Sequence, residues 1–217
     1  MGKIVVFENV SLDGVTQDPT GAERFSDADW RAALSPDDRA EWARLIHDDV
    51  LDAQALLLGR RSYEYFAARY PLRTGATADR VNGLPKYVVS ATLSDPRWNN
   101  TTVLRGDLAE QVARLRHLVD GEIRVYASTE LVHALTGHGL VDEVRLAVFP
   151  VVMGAGSRLF ACADGSAPVS PRPLRLTGVR AVGTGLVHLT YARLPDASAG
   201  QPDRRDGRTG IPVGDAG

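Results

Sequence analysis

The sequence predicts an α/β domain of three layers, with a mixed, mostly parallel sheet that ends in an antiparallel hairpin. Short apolar runs alternate with helical segments along most of the chain, which is the order that strand–helix–strand units produce. Two alternating segments, residues 175–181 and 186–193, flank Gly183-Thr184-Gly185 and predict the hairpin. The chain has 217 residues, 44% of them hydrophobic, which is enough for one substantial core.

Composition and charge exclude several classes of function. A formal net charge of −2 argues against a general nucleic-acid binder. The single cysteine, Cys162, excludes a disulfide framework and a thiolate zinc site, and the scattered histidines form no metal-binding motif, so we expect no metal. The N-terminal apolar run is too short for a signal sequence or a membrane span, and we expect a cytoplasmic protein without a membrane partner.

The first half of the chain begins with a buried strand over residues 4–7, continuing to Val10. Ser35 followed by Pro36 predicts the start of a helix whose apolar residues recur at helical spacing, namely Trp42, Leu45, Ile46 and Val50. A strand over 54–58 leads through Gly59 into a helix over 60–69, which ends before Pro71. Residues 72–83 are rich in Gly, Thr and Ala and predict a loop.

The second half alternates strands and helices before the hairpin. Strands are predicted at 86–90, 101–104, 123–126 and 141–149, and helices at 107–118 and about 129–135. Residues 195–217 hold Pro, Gly, Asp and Arg with almost no apolar anchor. This composition predicts a disordered tail after a folded domain over 1–194.

Polar turns follow three of the predicted strands, at 59–62, 90–93 and 127–130. The carboxyl ends of parallel strands gather at one edge, where open α/β sheets bind ligands. Gly59 allows a close backbone approach, and the amides that open a helix favour a phosphate group. Arg60 and Arg61 add phosphate donors, although only one of two adjacent helical side chains is expected to face the ligand. The turns favour a nucleotide site, and the alternative for 59–62 is an ordinary turn with two solvated arginines.

Six motifs in order resemble the dihydrofolate reductase-like family, in the branch of the C-terminal reductase domain of the bifunctional riboflavin-biosynthesis deaminase-reductase. They are SLDG (11–14), LLLGRRSYEYF (56–66), KYVVSATL (86–93), AST (127–129), LVDEVRL (140–146) and PVVMGAGSRLF (150–160). The resemblance covers about residues 3–194 and is nearer to the stand-alone bacterial members than to the riboflavin enzyme.

This resemblance implies an NADPH-dependent reductase that transfers a hydride to a C=N or C=O bond of a small organic substrate. It implies cofactor contacts at the three turns, from Gly59, Arg60, Arg61, Ser62, Ser90, Thr92, Leu93, Ala127, Ser128 and Thr129. It places beside the nicotinamide and the substrate the residues Val10, Asp13, Phe149, Pro150 and Val151. Asp13 is then a candidate proton donor or orienting group, and the alternative is the Asp of a local Asp-Gly turn. The resemblance also implies a homodimer formed through the antiparallel end, residues 141–193.

Two departures from the family pattern leave other functions open. Ala127-Ser128 stands where the family has Gly-Ser or Gly-Gly, and a methyl group at the closest approach of the pyrophosphate leaves open a non-redox, ligand-binding protein on the same fold. Phe7 stands where the riboflavin reductase has a lysine for a phosphorylated ribose. An apolar or aromatic substrate is therefore expected, and a riboflavin-pathway reductase is less favoured. Glu8, which points to the opposite face from its neighbours, has no predicted role.

Overall fold

The computed structural model describes residues 1–21, 29–160 and 173–194. Eight strands form one sheet in the order β4-β3-β2-β5-β1-β6-β8-β7. They are β1 (Lys3–Val10), β2 (Ala53–Gly59), β3 (Lys86–Val89), β4 (Thr101–Leu104), β5 (Glu122–Tyr126), β6 (Glu143–Val148), β7 (Leu174–Val182) and β8 (Leu186–Arg193). The first six strands are parallel, and β8 pairs antiparallel with both β6 and β7. The predicted mixed sheet with a C-terminal hairpin is confirmed.

Helices cover both faces of this sheet. They are α1 (Pro36–Asp52), α2 (Arg60–Ala67), α3 (Ala76–Gly83), α4 (Leu108–Leu118) and α5 (Thr129–Gly137), with short 3-10 turns at Trp30–Ala33 and Tyr70–Leu72. The side chain of Ser35 accepts a hydrogen bond from the Asp38 amide at 3.1 Å, as expected of the N-cap of α1. None of the helices in the described part of the chain is long and apolar enough to cross a membrane.

The alternation of side chains along β1 divides the core. Ile4 and Val6 are fully buried against α4 and α5, whereas Phe7 points to the other face, where α1 packs. Burying each such side chain contributes roughly 1.5–3 kcal/mol. The central strands β1 and β2 are therefore buried on both sides, which is why they have nearly continuous apolar sequences.

The predicted loop over 72–83 is wrong in its second half, because residues Ala76–Gly83 form α3. Ala78 and Val81 are buried, and Val81 packs with Val50 and Leu84. An eight-residue helix of this composition has little stability alone, so its apolar contacts determine its conformation. The helix predicted over 60–69 ends earlier, at Ala67.

A buried ionic cluster, which no sequence pattern predicted, joins α1 to the sheet. Arg124 is 0% exposed, and its Nη1 lies 2.7 Å from Asp49 Oδ1. Arg145 Nη1 donates to the same carboxylate at 2.8 Å, and the Tyr126 hydroxyl donates to Asp49 Oδ2 at 2.5 Å. The cluster fixes α1 relative to β5 and β6, and removing one member would leave its partners buried without compensation.

Candidate functional site

The parallel strands bring two of the predicted turns into direct contact, because β2 and β5 are neighbours in the sheet. The Gly59 amide donates to Ser128 Oγ at 3.1 Å. The Ser62 hydroxyl donates to the carbonyl oxygen of Ala127. The starts of α2 and α5 therefore lie side by side, with their first amides at the same edge of the sheet.

The third turn joins this pair through Arg60. Arg60 Nη1 donates to Thr92 Oγ1 at 2.7 Å, and its Nε donates to Glu64 at 2.7 Å. Ser90 Oγ accepts hydrogen bonds from the amides of Thr92 and Leu93 at 3.2 and 3.0 Å, which fixes the turn. Arg60 thus stands between the 59–62 and 90–93 turns with about half of its side chain exposed.

Arg61 points away from Arg60, as expected of adjacent helical residues. Its Nη1 lies 3.1 Å from Glu130 on α5, and both side chains are more than 80% exposed. An ion pair this exposed contributes little to stability. Both guanidinium groups are accessible at the edge of the sheet, and Arg60 is the one that contacts a second predicted turn.

No contact within the described part of the chain requires glycine at position 59. Its φ is −74°, which any residue adopts, and an added Cβ would meet no atom closer than 3.8 Å. The position is open beside the first amides of α2. A phosphate group approaching the backbone there would use this space, so the residues fit the pyrophosphate that the resemblance implies.

Ala127 adopts a left-handed conformation, with φ +47°. For a residue with a Cβ this conformation costs roughly 1 kcal/mol or more, so surrounding contacts must hold it. Ser128 supplies two of them, since its Oγ donates to the Tyr126 carbonyl at 2.9 Å and its amide donates to Glu8 Oε1 at 3.2 Å. The strain coincides with the departure from glycine that the sequence showed.

Glu8, for which the sequence predicted no role, contacts the candidate site at the Ser128 amide. Glu8 is 3% exposed. Burial raises the pKa of its carboxyl to about 8, although the hydrogen bond from the Ser128 amide acts in the opposite direction and lowers it. At neutral pH the carboxyl is therefore mostly protonated. Its position in the sequence was the one indication of this burial. Glu8 shares a face with Val6 and Val10 on a strand that is buried on both sides, where an ionisable side chain is unusual.

Asp13 has contacts that favour the alternative role, that of a residue holding local structure. Its oxygens accept hydrogen bonds from Ser11 Oγ at 2.7 Å and from the amides of Met153 and Gly154 at 3.0 and 2.8 Å. These donors, the Met153 amide first, lower the pKa of Asp13 to about 2. The carboxylate holds no proton at neutral pH, so a proton-donating role does not fit this geometry. Asp13 instead ties the SLDG turn to the segment after β6.

The expected substrate side is lined by aromatic residues. The Phe149 amide donates to the Val10 carbonyl at 2.8 Å, and the Leu12 amide donates to the Val151 carbonyl at 2.8 Å. The Phe149 ring meets Trp30 and Trp42 edge-on, at centroid distances of 5.9 and 6.0 Å. Val10 and Phe149 are buried, Val151 is half-buried and Pro150 is exposed. The structure thus brings these predicted residues to one place, with Phe149 acting largely as core.

Phe7 belongs to the same aromatic group. Its ring stacks on His188 at 5.9 Å and tilts against Tyr126 at 5.7 Å. Burial lowers the pKa of His188, so this side chain adds no positive charge at neutral pH. Arg145 lies in register with Phe7 on the same face, but its guanidinium donates to Asp49, Glu122 and Glu143 and is not free to bind a phosphorylated ribose.

Comparison with known proteins agrees with this architecture. The sequence profile of the RibD C-terminal domain matches residues 2–188. The chain belongs to the RibD C-terminal domain family. The family resemblance inferred from the motifs is confirmed.

One relative in sequence and three solved structures are similar to this chain. YyaP, an uncharacterised protein of Bacillus subtilis strain 168, is 25% identical over 194 residues, covering 87% of this chain and 94% of its own. A putative riboflavin biosynthesis protein from Shewanella sp. PV-4 superimposes with a TM-score of 0.67 at 19% identity, covering 89% of this chain and 99% of its own. A pyrimidine reductase-like protein from Corynebacterium diphtheriae gives 0.57 at 12% identity, covering 89% and 92%. RibD from Acinetobacter baumannii gives 0.57 at 15% identity, covering 89% of this chain and 58% of its own.

Membership in the RibD C-terminal domain family, a family of reductase domains, supports an oxidoreductase class for this chain. Within residues 1–21, 29–160 and 173–194, no group of three or more His, Cys, Asp or Glu side chains is arranged to hold a metal ion. Cys162 and the predicted tail over 195–217 lie outside the described residues.

Proposed function

We propose that this protein is an NADPH-dependent reductase that transfers a hydride to a C=N or C=O bond of a small organic molecule. The observation that carries the proposal is the contact between Gly59 and Ser128. It joins the starts of α2 and α5 at the edge of the sheet where a chain of this family would hold a dinucleotide.

The roles of the chain's residues follow from their positions. The amides of Arg60–Ser62 at the start of α2 and of Thr129 at the start of α5 would hold the pyrophosphate, and Arg60 and the 90–93 turn would hold the adenosine ribose and its 2′-phosphate. When bound, the reduced nicotinamide supplies the hydride. The protein contributes binding, orientation and the exclusion of water from the reacting bond.

The substrate would lie against the aromatic side of the site. Phe7, Phe149 and Tyr126 present rings rather than cations, which supports an apolar or aromatic substrate. In this proposal Asp13 positions the 149–154 segment, through its bonds to Met153 and Gly154, and does not donate the proton. A riboflavin-pathway reductase is the less favoured reading, and complementation of a riboflavin auxotroph would reverse that order.

A second candidate is a ligand-binding, non-redox protein on the same fold. The left-handed Ala127 favours it, because its methyl group lies at the turn where the pyrophosphate would approach most closely. The same ring-lined side would then bind the ligand.

Titration with NADPH separates the two candidates. Quenching of tryptophan fluorescence together with a rise in the melting temperature supports the reductase, and oxidation of NADPH with a carbonyl or imine acceptor establishes it. Failure of NADPH to bind, with either readout, sinks the reductase and leaves the second candidate. A response to NADH but not to NADPH would overturn the cofactor preference alone.

We also propose that the protein forms a homodimer through its antiparallel end. On edge strand β7, Leu174, Leu176 and Val179 are 39%, 49% and 61% exposed. A register shift between Leu176 and Gly178 places Leu176 opposite Tyr191 and Val179 opposite Leu189, so these apolar residues share one face of the sheet. A second copy covering this face would remove the apolar area from water and protect the edge strand.

A further inference from the structure

The amide of Ser128, at the start of α5, is satisfied from inside the protein by the carboxyl of Glu8. Glu8 Oε1 accepts this hydrogen bond at 3.2 Å, and among the described residues Oε2 has no hydrogen-bond partner. The side chain is 97% buried on the inner side of the turn whose outer side would meet a pyrophosphate. A negative charge on Glu8 and an anion at the start of α5 would therefore compete for the same dipole and repel one another.

The charged groups of the adjoining strands do not offset a charge on Glu8. Tyr126 on β5 and Arg145 on β6 are both paired in register with Phe7, so they lie on the opposite face of the sheet from Glu8. Both contact Asp49 there. Glu8 itself stands opposite Leu146 on β6.

The titratable groups of the adjoining helices and loop are also engaged elsewhere. On α5, Glu130 pairs with Arg61 at the surface, and His133 Nε2 contacts the Arg158 carbonyl. Arg60 on α2 contacts Glu64 and Thr92. Beyond β1, Asp13 accepts bonds from the Met153 and Gly154 amides. None of these contacts includes Glu8, whose protonation is governed by burial and by the Ser128 amide.

We propose that Glu8 must carry a proton for the dinucleotide to bind, so that binding draws a proton from solvent onto this carboxyl whenever it is ionised. This inference rests on the proposed function and adds regulation by pH to the same site. With the neutral carboxyl beneath it, the start of α5 keeps its full attraction for an anion. When Glu8 is ionised, its negative charge repels the anion at close range, and the repulsion is strong because little water surrounds the buried carboxylate.

The test measures the dissociation constant of NADPH between pH 6 and pH 9, at fixed ionic strength, for the wild type, Glu8→Gln and Glu110→Gln. Because burial places the pKa of Glu8 near 8, the wild type should bind roughly tenfold more weakly at pH 9 than at pH 6, relative to Glu8→Gln. Taking the ratio of wild type to Glu8→Gln cancels ionisation of the ligand's own phosphate. Glu110 is an exposed carboxyl on α4 paired with Arg114, so Glu110→Gln should keep the wild-type dependence.

Calorimetry of the wild type in buffers of different ionisation enthalpy provides a second test that needs no variant. Binding near pH 8 should take up about half a proton per NADPH. Equal pH dependence in the wild type and Glu8→Gln, or no proton uptake, overturns the inference while leaving the proposed function intact. Absence of NADPH binding at every pH overturns both.

Discussion

The backbone amide of Gly59 donates to the side-chain oxygen of Ser128 at 3.1 Å, across the boundary between β2 and β5. The same oxygen donates to the Tyr126 carbonyl at 2.9 Å. One hydroxyl therefore sets the spacing between the starts of two helices that are 69 residues apart in the sequence. In the proposed function, cofactor binding at this edge would depend on that spacing.

Substitution Ser128→Ala should weaken this site more than it weakens the fold. Loss of the hydroxyl leaves the Gly59 amide without its partner and frees the turn, at a cost of about 1 kcal/mol in stability. NADPH affinity should fall by about tenfold or more if the helix starts separate. Urea unfolding and fluorescence titration measure the two effects, with Thr74→Ala, at an exposed position, as the control. A variant that binds NADPH like the wild type would show that the Ser128 hydroxyl does not organise the site.

Substitution Ala127→Gly should stabilise the protein and improve the site together. Glycine adopts φ +47° without steric cost, so the free energy of unfolding should rise by about 1 kcal/mol. Removal of the methyl group should also tighten NADPH binding. The control is Ala134→Gly, inside α5, where the same change should lower stability by about 1 kcal/mol. If NADPH binds more tightly but the free energy of unfolding does not rise, the methyl group hinders the ligand without straining the backbone. If both the affinity and the free energy of unfolding fall, the left-handed conformation of Ala127 is not strained.

Substitution Glu8→Gln should change how stability depends on pH. The folded protein holds the Glu8 proton up to about pH 8, whereas the unfolded chain releases it near 4.5. Stability from this group is therefore fully present below pH 4.5 and is lost as the pH rises to about 8. Between pH 5 and pH 8, Glu8→Gln should gain roughly 2–4 kcal/mol relative to the wild type.

The measurement for Glu8→Gln is urea unfolding at both pH values, and Glu110→Gln serves as the control because Glu110 is exposed. Other groups titrate equally in all three proteins, so the difference between variants isolates Glu8. Parallel stability curves for the wild type and Glu8→Gln would mean that the buried carboxyl stays ionised.

The sequence predicted those parts of the fold that local physics determines. Apolar runs identified the strands, and Ser35 identified a helix start that the structure confirms through its hydrogen bond from the Asp38 amide. The helix predicted over 107–118 is also found, and the side chain of Asp107 caps it by accepting from the Glu110 amide. The helix α3 was missed because its stability comes from the packing of Ala78 and Val81 against the core rather than from the helix propensity of its sequence.

The geometry of the candidate site was predictable within a single turn and unpredictable where distant segments meet. The amides and arginines of 59–62 could be recognised from their order along the chain. The contact of Glu8 with Ser128 spans 120 residues and changes a protonation state, which no local pattern records. The turn chemistry of Asp13 was recognisable, but its bonds to Met153 and Gly154, and hence its low pKa, depended on the fold.

Substitution Gly183→Ala should destabilise the C-terminal hairpin and its contact with α1. Gly183 has φ +61°, and an added Cβ would lie 1.9 Å from Asp38 Oδ1, which accepts a bond from the Thr184 amide at 2.6 Å. Gly154 has a similar φ of +73° but open space around it. Gly154→Ala should therefore show the backbone cost alone, about 1 kcal/mol, and Gly183→Ala roughly 2 kcal/mol more. Equal losses in urea unfolding would show that Asp38 moves aside freely.

Substitution Val179→Lys tests the homodimer. Val179 is 61% exposed on the β7 face that the proposed partner would cover, and a lysine there would bury a charge in the interface. We expect the wild type to sediment as a dimer at micromolar concentration and Val179→Lys to dissociate at least tenfold more readily. Leu72→Lys, at an exposed apolar residue before α3, should leave the mass unchanged. Because β7 is the last strand of the sheet, a monomer would leave the apolar face and the unpaired backbone groups of β7 in water. A wild-type protein that sediments as a monomer at micromolar concentration would therefore contradict the proposed dimer.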